Sequence, residues 1–281
     1  MAPPPSTCCL RFVDVAAWDP SSPQWRRLLL QLPAHEQKQV TRFMFAKDQK
    51  LALASRLLQR QLIHELFGEN YNAIDIARTP ENKPYWKRST VSAAPPSWNY
   101  NVSHHGTIVA IASDSRALVG VDVVRVTDRP HRTSSVEGFF RAFAGHFNPR
   151  EWEFIRSTED EDSQYTRFYR LWSLKESYIK AVGVGLGFSL LRAEFVRVDP
   201  TRGDQWGLLL DGQRASDWYF TCTEVDATHL VSVAYGPFSA MWKPETSSLF
   251  AHAGLFPGVP NAVNIEDTAA WNEWRVGDLL Q

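Results

Sequence analysis

Residues 169–183 of this chain, YRLWSLKESYIKAVG, form the stretch that decides the fold of its second half. At about 100° per residue, this stretch predicts a helix over residues 163–182 with one apolar face. Lys175 falls within that face, Glu176 lies on its flank, and Lys180 is one turn beyond Glu176. A lysine on a buried face needs an anion or a route to solvent. The alternative for Glu176 and Lys180 is an exposed ion pair worth about 0.3 kcal/mol.

A second informative stretch is GVDVV at residues 120–124, within an apolar run over 117–124 that predicts a buried strand. Asp122 lies between valines, and a buried carboxylate must be paired, hydrogen-bonded or bound to a metal. If Asp122 and Glu176 converge, two hard oxygen ligands suit Mg²⁺. A strand-end aspartate that caps local backbone is the structural alternative.

Three other features that could belong to a functional site also have a purely structural explanation. Glu151 is the third residue of a helix begun by Asn148 and Pro149, so it completes a capping box. His104 and His105 lie in a predicted SHHG turn, where solvated histidines are common. The glycine-rich GVGLG at residues 183–187 follows a helix, whereas loops that bind phosphate precede one. We therefore interpret it as a helix terminator.

The order of predicted elements indicates an α+β fold built from two similar α+β lobes in a pseudo-twofold arrangement. The lobes are predicted at residues 1–118 and 119–236, the second carrying the metal site, with an irregular tail over 237–281 that ends in a short helix near Trp271. In the first lobe we predict a long helix that begins at Asp48 and ends at Gly68. A turn over residues 79–84 follows, with Asn82 in the left-handed region, and then a hairpin of strands over 98–103 and 107–113.

Composition sets limits on function. The chain has 281 residues, 44% of them hydrophobic, and a net charge of −1, which gives no reason to expect nucleic acid or a membrane as a partner. The three cysteines make neither a disulfide framework nor a metal-ligand spacing, so we expect free thiols. Free thiols are typical of a reducing compartment, and the predicted location is the cytoplasm.

Together, GVDVV and WSLKESYIKAVGVGLG at residues 172–187 resemble the signature pair of the 4′-phosphopantetheinyl transferases. The match is to the long, pseudo-dimeric, surfactin-synthetase-activating (Sfp) type, and the chain is most similar to its eukaryotic members. Weaker supporting matches are RFMFAKDQKLALASRLL at 42–58, NKP at 82–84, NVSHHG at 101–106 and HFNPREW at 146–152. The resemblance implies transfer of the phosphopantetheine arm of coenzyme A to a serine of an apo carrier protein, which releases 3′,5′-ADP.

The resemblance also implies roles for individual residues. Asp122 and Glu176 would hold Mg²⁺, and coenzyme A would bind between the lobes. The residues implied to bind coenzyme A are Arg78, Lys83, Ser103, His104, Lys175 and Lys180. Those implied to be catalytic are Glu176, Lys180 and Glu151, and one of the two glutamates would accept the serine proton.

The implied partners are the acyl and peptidyl carrier domains of fatty-acid, polyketide and nonribosomal peptide synthases and of the aminoadipate reductase of lysine biosynthesis. A monomer is expected, because one chain supplies both lobes.

Two positions depart from the family pattern. Many bacterial members carry a second acid on the strand where this chain has Val124, so a third protein carboxylate is missing, and water or His105 is our hypothesis for that ligand. Gln39 stands where a basic residue is expected, which leaves three candidates to replace it: Lys38, Arg42 and Lys47. The alternatives to a transferase are a non-catalytic protein that binds coenzyme A or carrier proteins, and a metal-dependent hydrolase of nucleotide pyrophosphates.

Overall fold

A computed structural model of the chain describes residues 8–88, 93–129, 135–198, 205–241 and 271–279. These residues divide into two compact units. The first unit holds the described residues up to Arg116 together with 271–279, and the second holds those from Ala117 to Met241. Both units combine helices with mainly antiparallel sheet, so the predicted α+β class is confirmed. No helix among the described residues is long and apolar enough to cross a membrane.

The first unit consists of three helices, a four-stranded sheet and a small hairpin. Its elements are β1 (Cys9–Asp14), α1 (Pro23–Leu30), α2 (Ala34–Thr41), α3 (Ala46–Phe67), β2 (Ile76–Arg78), β3 (Pro84–Trp86), β4 (Asn99–His105), β5 (Ile108–Asp114) and β12 (Trp271–Trp274). The sheet order is β12-β1-β5-β4, and α3 packs against β4 and β5. The core of the unit lies between this helix and the sheet.

Strand β12 corrects the prediction of a short helix near Trp271. Residues 271–274 pair in parallel with β1, in the register Leu10 to Trp271 and Val13 to Trp274. Only the following residues, Val276–Leu279, form a 3₁₀ turn. Trp271 also packs edge-on against Phe12, with ring centroids 6.3 Å apart. The described end of the tail is therefore part of the first unit's sheet.

Helix α3 ends where predicted but begins earlier. Gly68 closes it with φ of 69°, the left-handed conformation that glycine adopts without strain. The N-cap is Phe45, not the predicted Asp48, which lies in the first turn. An acid in the first turn interacts favourably with the helix dipole, so Asp48 stabilises this end without capping it.

The two hairpins of this unit carry several predicted site residues. Strands β2 and β3 are joined by a turn in which Asn82 has φ of 70°, as predicted. In the second hairpin, β4 extends through His105, and Gly106, with φ of 60°, lies in the turn. The histidines thus belong to the strand end, and the predicted SHHG turn was placed about two residues too early.

The second unit places one long helix across a larger sheet. Its elements are β6 (Leu118–Arg125), α4 (Val136–Ala142), α5 (Pro149–Arg156), α6 (Glu161–Val182), β7 (Ala193–Arg197), β8 (Gln205–Leu210), β9 (Gln213–Arg214), β10 (Tyr219–Glu224) and β11 (His229–Gly236). The sheet order is β6-β11-β10-β8-β7, with β9 beside β8. Helix α6 packs on β6 and β11, over a core rich in aromatic rings around Phe168.

Gly120 allows β6 to approach α6 closely. A Cβ atom at this position would lie 2.0 Å from the Ser177 carbonyl oxygen and 2.3 Å from the Ala181 nitrogen. Real Cβ atoms do not occupy such distances, so only glycine permits this strand–helix contact. The same contact places Asp122, two residues along β6, beside the last turns of α6.

All three cysteines are free and buried, as expected from their spacing. Burial raises the pKa of Cys9 to about 11 and also raises that of Cys222. Thiols of this kind are unreactive at neutral pH.

Candidate active site in the second unit

Asp122 and Lys180 form the centre of the candidate site. Lys180 Nζ lies 2.5 Å from Asp122 Oδ1, and the Asp122 side chain is only 7% exposed. Ser173 Oγ donates a hydrogen bond of 3.4 Å to the Asp122 carbonyl oxygen, which connects β6 to α6 a second time. Lys180 retains 29% of its side-chain exposure. The pair therefore lies at an accessible edge of the helix–strand contact.

Glu176 is the second acid of this site. It lies one helical turn before Lys180 and is half-buried. Burial raises the pKa of Glu176, the negative charge of Asp122 raises it further, and Lys180 opposes both effects. A carboxylate whose charge is disfavoured by a neighbouring carboxylate is suited to share a cation with it. The effect of Asp122 on the pKa of Glu176 places the two carboxylates near each other, which is the condition on which the expected Mg²⁺ site depends.

These two acids fit a divalent cation that keeps part of its water shell. Mg²⁺ is usually bound by one or two protein carboxylates together with waters and substrate phosphates. Among the described residues no group of three or more His, Cys, Asp or Glu side chains converges to hold a metal. Val124, where the family resemblance led us to expect a second acid, is buried on β6 opposite Leu230. This unit would therefore offer at most these two carboxylates to a metal ion.

Lys175 and Glu151 form a separate, buried ion pair. Lys175 Nζ lies 2.9 Å from Glu151 Oε2, and neither side chain is exposed. Lys175 also donates to the carbonyl oxygens of Leu190, at 3.0 Å, and Ala193. Burial lowers the pKa of Lys175 and raises that of Glu151, while each partner's charge opposes the shift. Lys175 lies on the apolar face of α6, and Glu151 is the anion that balances its charge there.

Both carboxylate oxygens of Glu151 accept hydrogen bonds from the protein. Oε2 accepts from the backbone nitrogen of Asn148 at 2.8 Å, as a capping box requires, and Oε1 accepts from that of Phe195 at 2.9 Å. Glu151 therefore holds α5, α6 and β7 together. This geometry favours the structural reading of Glu151 and Lys175 over the predicted roles in catalysis and coenzyme A binding.

In the first unit, Arg78 and Lys83 flank the β2–β3 turn as expected. Arg78 Nη1 donates to the Asn82 carbonyl oxygen at 2.9 Å and is otherwise exposed. Lys83 is 7% exposed, and its backbone nitrogen donates to Thr79 Oγ1 at 3.1 Å. Burial lowers the pKa of Lys83 to about 7. Its charge is therefore sensitive to pH near neutrality.

Ser103 and His104 lie near the C-terminal end of β4 and face opposite sides of the sheet. Ser103 is buried and pairs with Ala110, whereas His104 is exposed and pairs with Val109. Alternation along a strand requires this difference. His105, the candidate for a further metal ligand, pairs with Ile108 and is half-buried.

Arg56 is a basic residue that our sequence interpretation missed. Its Nη2 donates to Gln39 Oε1 at 2.9 Å, at the position where the family pattern has a basic residue. Burial lowers the pKa of Arg56, the Glu36 carboxylate 3.6 Å from its Nε opposes this shift, and the positive charges of Arg78, Arg60 and Arg42 add to it. Only the packing of α2 on α3 brings Arg56 to Gln39, and no local sequence signal reveals it.

Both units match models of a single enzyme family. The second unit matches the family model described as 4′-phosphopantetheinyl transferase superfamily over residues 118–234. The first unit matches the model described as 4′-phosphopantetheinyl transferase, N-terminal, over residues 16–116.

Curated relatives agree with these matches. The rat protein named L-aminoadipate-semialdehyde dehydrogenase-phosphopantetheinyl transferase is 38% identical over 223 residues, which cover 77% of this chain and 71% of that protein. The human protein of the same name is also 38% identical with the same coverage. A phosphopantetheinyl transferase from Thraustochytrium is 35% identical over 82% of this chain and 79% of its own length. The chain belongs to the 4′-phosphopantetheinyl transferase family.

Proposed function

We propose that this chain transfers the 4′-phosphopantetheine arm of coenzyme A to a serine of an apo carrier protein, giving the holo carrier and 3′,5′-ADP. The observation that carries this proposal is the approach of β6 to α6, which gathers Asp122, Glu176 and Lys180 at one accessible edge. Family membership supplies the reaction class.

We further propose that Asp122 and Glu176 hold Mg²⁺ in the working enzyme. The bound ion would neutralise charge on the pyrophosphate of coenzyme A during the transfer. Lys180 neutralises Asp122 in this structure. A cation held by Asp122 would leave the Lys180 ammonium available to a substrate phosphate.

Glu176 is the proposed acceptor of the serine proton, directly or through water. Glu176 is half-buried beside Asp122 at the edge where Lys180 keeps part of its exposure, so a substrate hydroxyl has access to it. Glu151 is 1% exposed and its oxygens accept hydrogen bonds from three donors, so it has no comparable access to a substrate. The serine oxygen attacks the β-phosphorus, and 3′,5′-ADP leaves with the electron pair of the broken P–O bond.

In the first unit, Arg78 and Lys83 are the proposed contacts of the nucleotide end of coenzyme A, with Ser103 and His104 as further contacts. Arg56 joins this set because of its electrostatic coupling to Arg78. The names of the rat and human relatives suggest the carrier domain of an aminoadipate-processing enzyme as one partner. A cytoplasmic monomer is part of the same proposal.

The test is intact-protein mass spectrometry of an apo carrier domain incubated with this chain, coenzyme A and Mg²⁺. We expect the carrier to gain one phosphopantetheine group, and the gain to disappear with EDTA or with Glu176→Ala. Glu153→Ala, which removes an exposed acid from α5, is the matched control and should transfer normally.

Two outcomes would contradict the proposal. Coenzyme A retained without transfer to several carrier types would indicate a binding protein. Release of 3′,5′-ADP in the absence of any carrier, at the rate seen with one, would indicate a hydrolase.

A further inference from the structure

Three consecutive large apolar residues are exposed where α2 passes into α3. Phe43, Met44 and Phe45, which we call the apolar tip, are half of the six large apolar residues that are exposed in the described part of the chain. Met44 is the extreme case, with 88% of its surface accessible. Single exposed apolar residues are normal on a protein surface, whereas a contiguous group of them indicates an interaction site.

The fold itself makes no use of the apolar tip. None of its side chains belongs to the described core between α3 and the sheet or packs against it. A hydrophobic staple would pair Met44, which precedes the N-cap, with the fourth residue of α3, but that residue is Gln49. The N-cap is Phe45, at a position where a small polar side chain is preferred. Neither packing nor capping therefore explains why these residues are apolar.

Hydrogen bonds hold the apolar tip in a defined conformation. The Phe43 carbonyl oxygen accepts from Gln49 Nε2 at 2.8 Å. The Phe45 carbonyl oxygen accepts from the backbone nitrogens of Asp48, at 3.1 Å, and Gln49, at 3.2 Å. A preformed turn loses little conformational freedom when a partner covers it, so the tip is preorganised for binding.

Basic side chains form a rim around the apolar tip. Arg42 Cζ lies 5.8 Å from the centroid of the Phe43 ring, and Lys47 Nζ lies 6.0 Å from that of Phe45. Lys38, one turn before Arg42 on α2, is exposed as well. The surface therefore has an apolar centre and a positive rim.

The acids nearest to the tip in the sequence do not neutralise this rim. Within residues 34–47 the one acid is Glu36, which is buried and accepts two hydrogen bonds from Arg60, at 2.8 Å and 3.0 Å. Asp48, the next acid, is half-buried in the first turn of α3, where the helix dipole favours it. Charge complementarity therefore calls for a partner with carboxylates around an apolar centre.

We propose that the apolar tip is a docking surface for the carrier protein, which covers it with an apolar ridge flanked by Asp or Glu side chains. This inference rests on the proposed function, because transfer to a carrier serine requires the two proteins to bind each other. An apolar centre within a polar rim is the usual anatomy of a protein interface. The rim charges steer the approach of the carrier, and the apolar side chains supply most of the affinity.

A lipid surface and a second copy of this chain fit the apolar tip less well. The chain has a net charge of −1, and the three cations of the rim fall short of the roughly four to eight basic residues in lipid-binding clusters. A two-fold interface centred on the tip would place the same positive rim on both sides, which is repulsive.

The experiment measures steady-state transfer by intact-protein mass spectrometry, with the apo carrier varied and coenzyme A and Mg²⁺ saturating. Met44→Glu and Met44→Lys both remove the thioether, but only glutamate repels an acidic partner, and the aliphatic stem of lysine still packs. We expect Met44→Glu to raise KM for the carrier about tenfold or more, and Met44→Lys to raise it about threefold or less. The melting temperature, kcat and KM for coenzyme A should not change, because Met44 is exposed and outside the proposed site.

Leu30→Glu is the matched control. Leu30 is 65% exposed and precedes α2, whereas the apolar tip follows that helix, whose eight residues span about 12 Å. This variant introduces the same charge and should leave KM for the carrier unchanged. The docking surface is overturned if Met44→Glu transfers with the wild-type KM, if Leu30→Glu weakens the carrier equally, or if KM rises for coenzyme A instead. Equal effects of Met44→Glu and Met44→Lys would overturn the acidic partner.

Titration calorimetry with the apo carrier in the absence of coenzyme A separates this inference from the proposed function. Binding that Met44→Glu weakens, without any transfer by the wild-type chain, would overturn the proposed function and keep the docking surface. Transfer with binding that Met44→Glu leaves unchanged would do the reverse. Neither binding nor transfer would overturn both. Sedimentation of the wild-type chain, but not of Met44→Glu, with phosphatidylserine vesicles would assign the tip to a lipid surface if carrier binding is unaffected.

Discussion

Lys175 Nζ lies 2.9 Å from Glu151 Oε2 in an environment where neither side chain reaches solvent. The pair joins α6 to α5, and the remaining hydrogen bonds of the two side chains extend to backbone atoms of Asn148, of β7 and of the turn before β7. A buried ion pair of this kind is destabilised strongly when one partner is removed, because the other is left charged and buried.

We therefore predict that Lys175→Met lowers the free energy of unfolding by about 3–5 kcal/mol. Urea denaturation followed by circular dichroism measures it. The double variant Lys175→Met with Glu151→Gln should lose less than the two single variants summed, since the uncompensated charge is gone. Arg156→Gln, which breaks the exposed pair with Glu137, is the control and should change stability by about 1 kcal/mol or less.

A contrary result is easy to recognise. If Lys175→Met keeps the wild-type denaturation midpoint while the transfer rate falls, Lys175 acts on coenzyme A and the structural interpretation fails.

Gly120→Ala should damage the site through packing alone. The new methyl group would lie 2.0 Å from the Ser177 carbonyl oxygen, so β6 must move away from α6. Overpacking of this kind costs about 1–3 kcal/mol, and the displaced strand carries Asp122 with it. We expect both the melting temperature and the transfer rate to fall. Gly145→Ala, where a Cβ meets nothing within 4 Å, should change neither, and equal effects of the two substitutions would refute the packing argument.

The convergence of Asp122 with Glu176 was predictable from the sequence. A glycine two residues before the aspartate indicates close approach of a backbone, and the amphipathic pattern of residues 163–182 shows which helix has a charged flank. Both the glycine and the helical pattern are properties of a short stretch of sequence, so they can be recognised without knowledge of the tertiary fold. The burial of Lys175 was predictable for the same reason.

The partner of Lys175 was not predictable from the residues alone. Glu151 is 24 positions earlier in the chain than Lys175. The capping box with Asn148 already explains why a glutamate stands at position 151, so nothing local points to an ion pair with Lys175. The pairing of β12 with β1 was missed for a similar reason, because it joins segments from opposite ends of the chain. Strand β8 was missed as well: its pairing with β7 and β10 fixes it, and Gly207 interrupts its apolar pattern. Long-range pairing leaves no local signature.

Glu176→Gln should remove activity without removing stability. Because burial and Asp122 raise its pKa, the folded protein binds this proton more tightly than the unfolded chain. The neutral carboxyl is therefore favourable at low pH, and that stability is lost as pH rises from the ordinary value of 4.5 through the raised folded value. At pH above that window, without Mg²⁺, the glutamine variant should melt at or above the wild-type temperature.

Transfer by the same variant should fall by about 10²-fold or more if Glu176 is both base and ligand. Glu153→Gln is the control for both measurements, since that side chain is exposed on α5. A destabilised but active Glu176→Gln protein would contradict the proposed role.

Lys83 should impose a pH limit on the use of coenzyme A. Burial lowers its pKa to about 7, so the free protein loses the ammonium charge as pH rises through neutrality. The profile of kcat/KM for coenzyme A reports groups of the free enzyme, and it should fall about tenfold per pH unit above this value. Lys83→Arg keeps the charge at all accessible pH and should abolish the decline, provided that the larger side chain is accommodated. Lys87→Arg is the control, because Lys87 is an exposed lysine that directly follows β3, and this variant should retain the decline in kcat/KM above neutral pH. A wild-type profile that is flat from about pH 6 to about pH 8.5, or a decline that persists in Lys83→Arg, would mean that Lys83 does not contact a phosphate of coenzyme A.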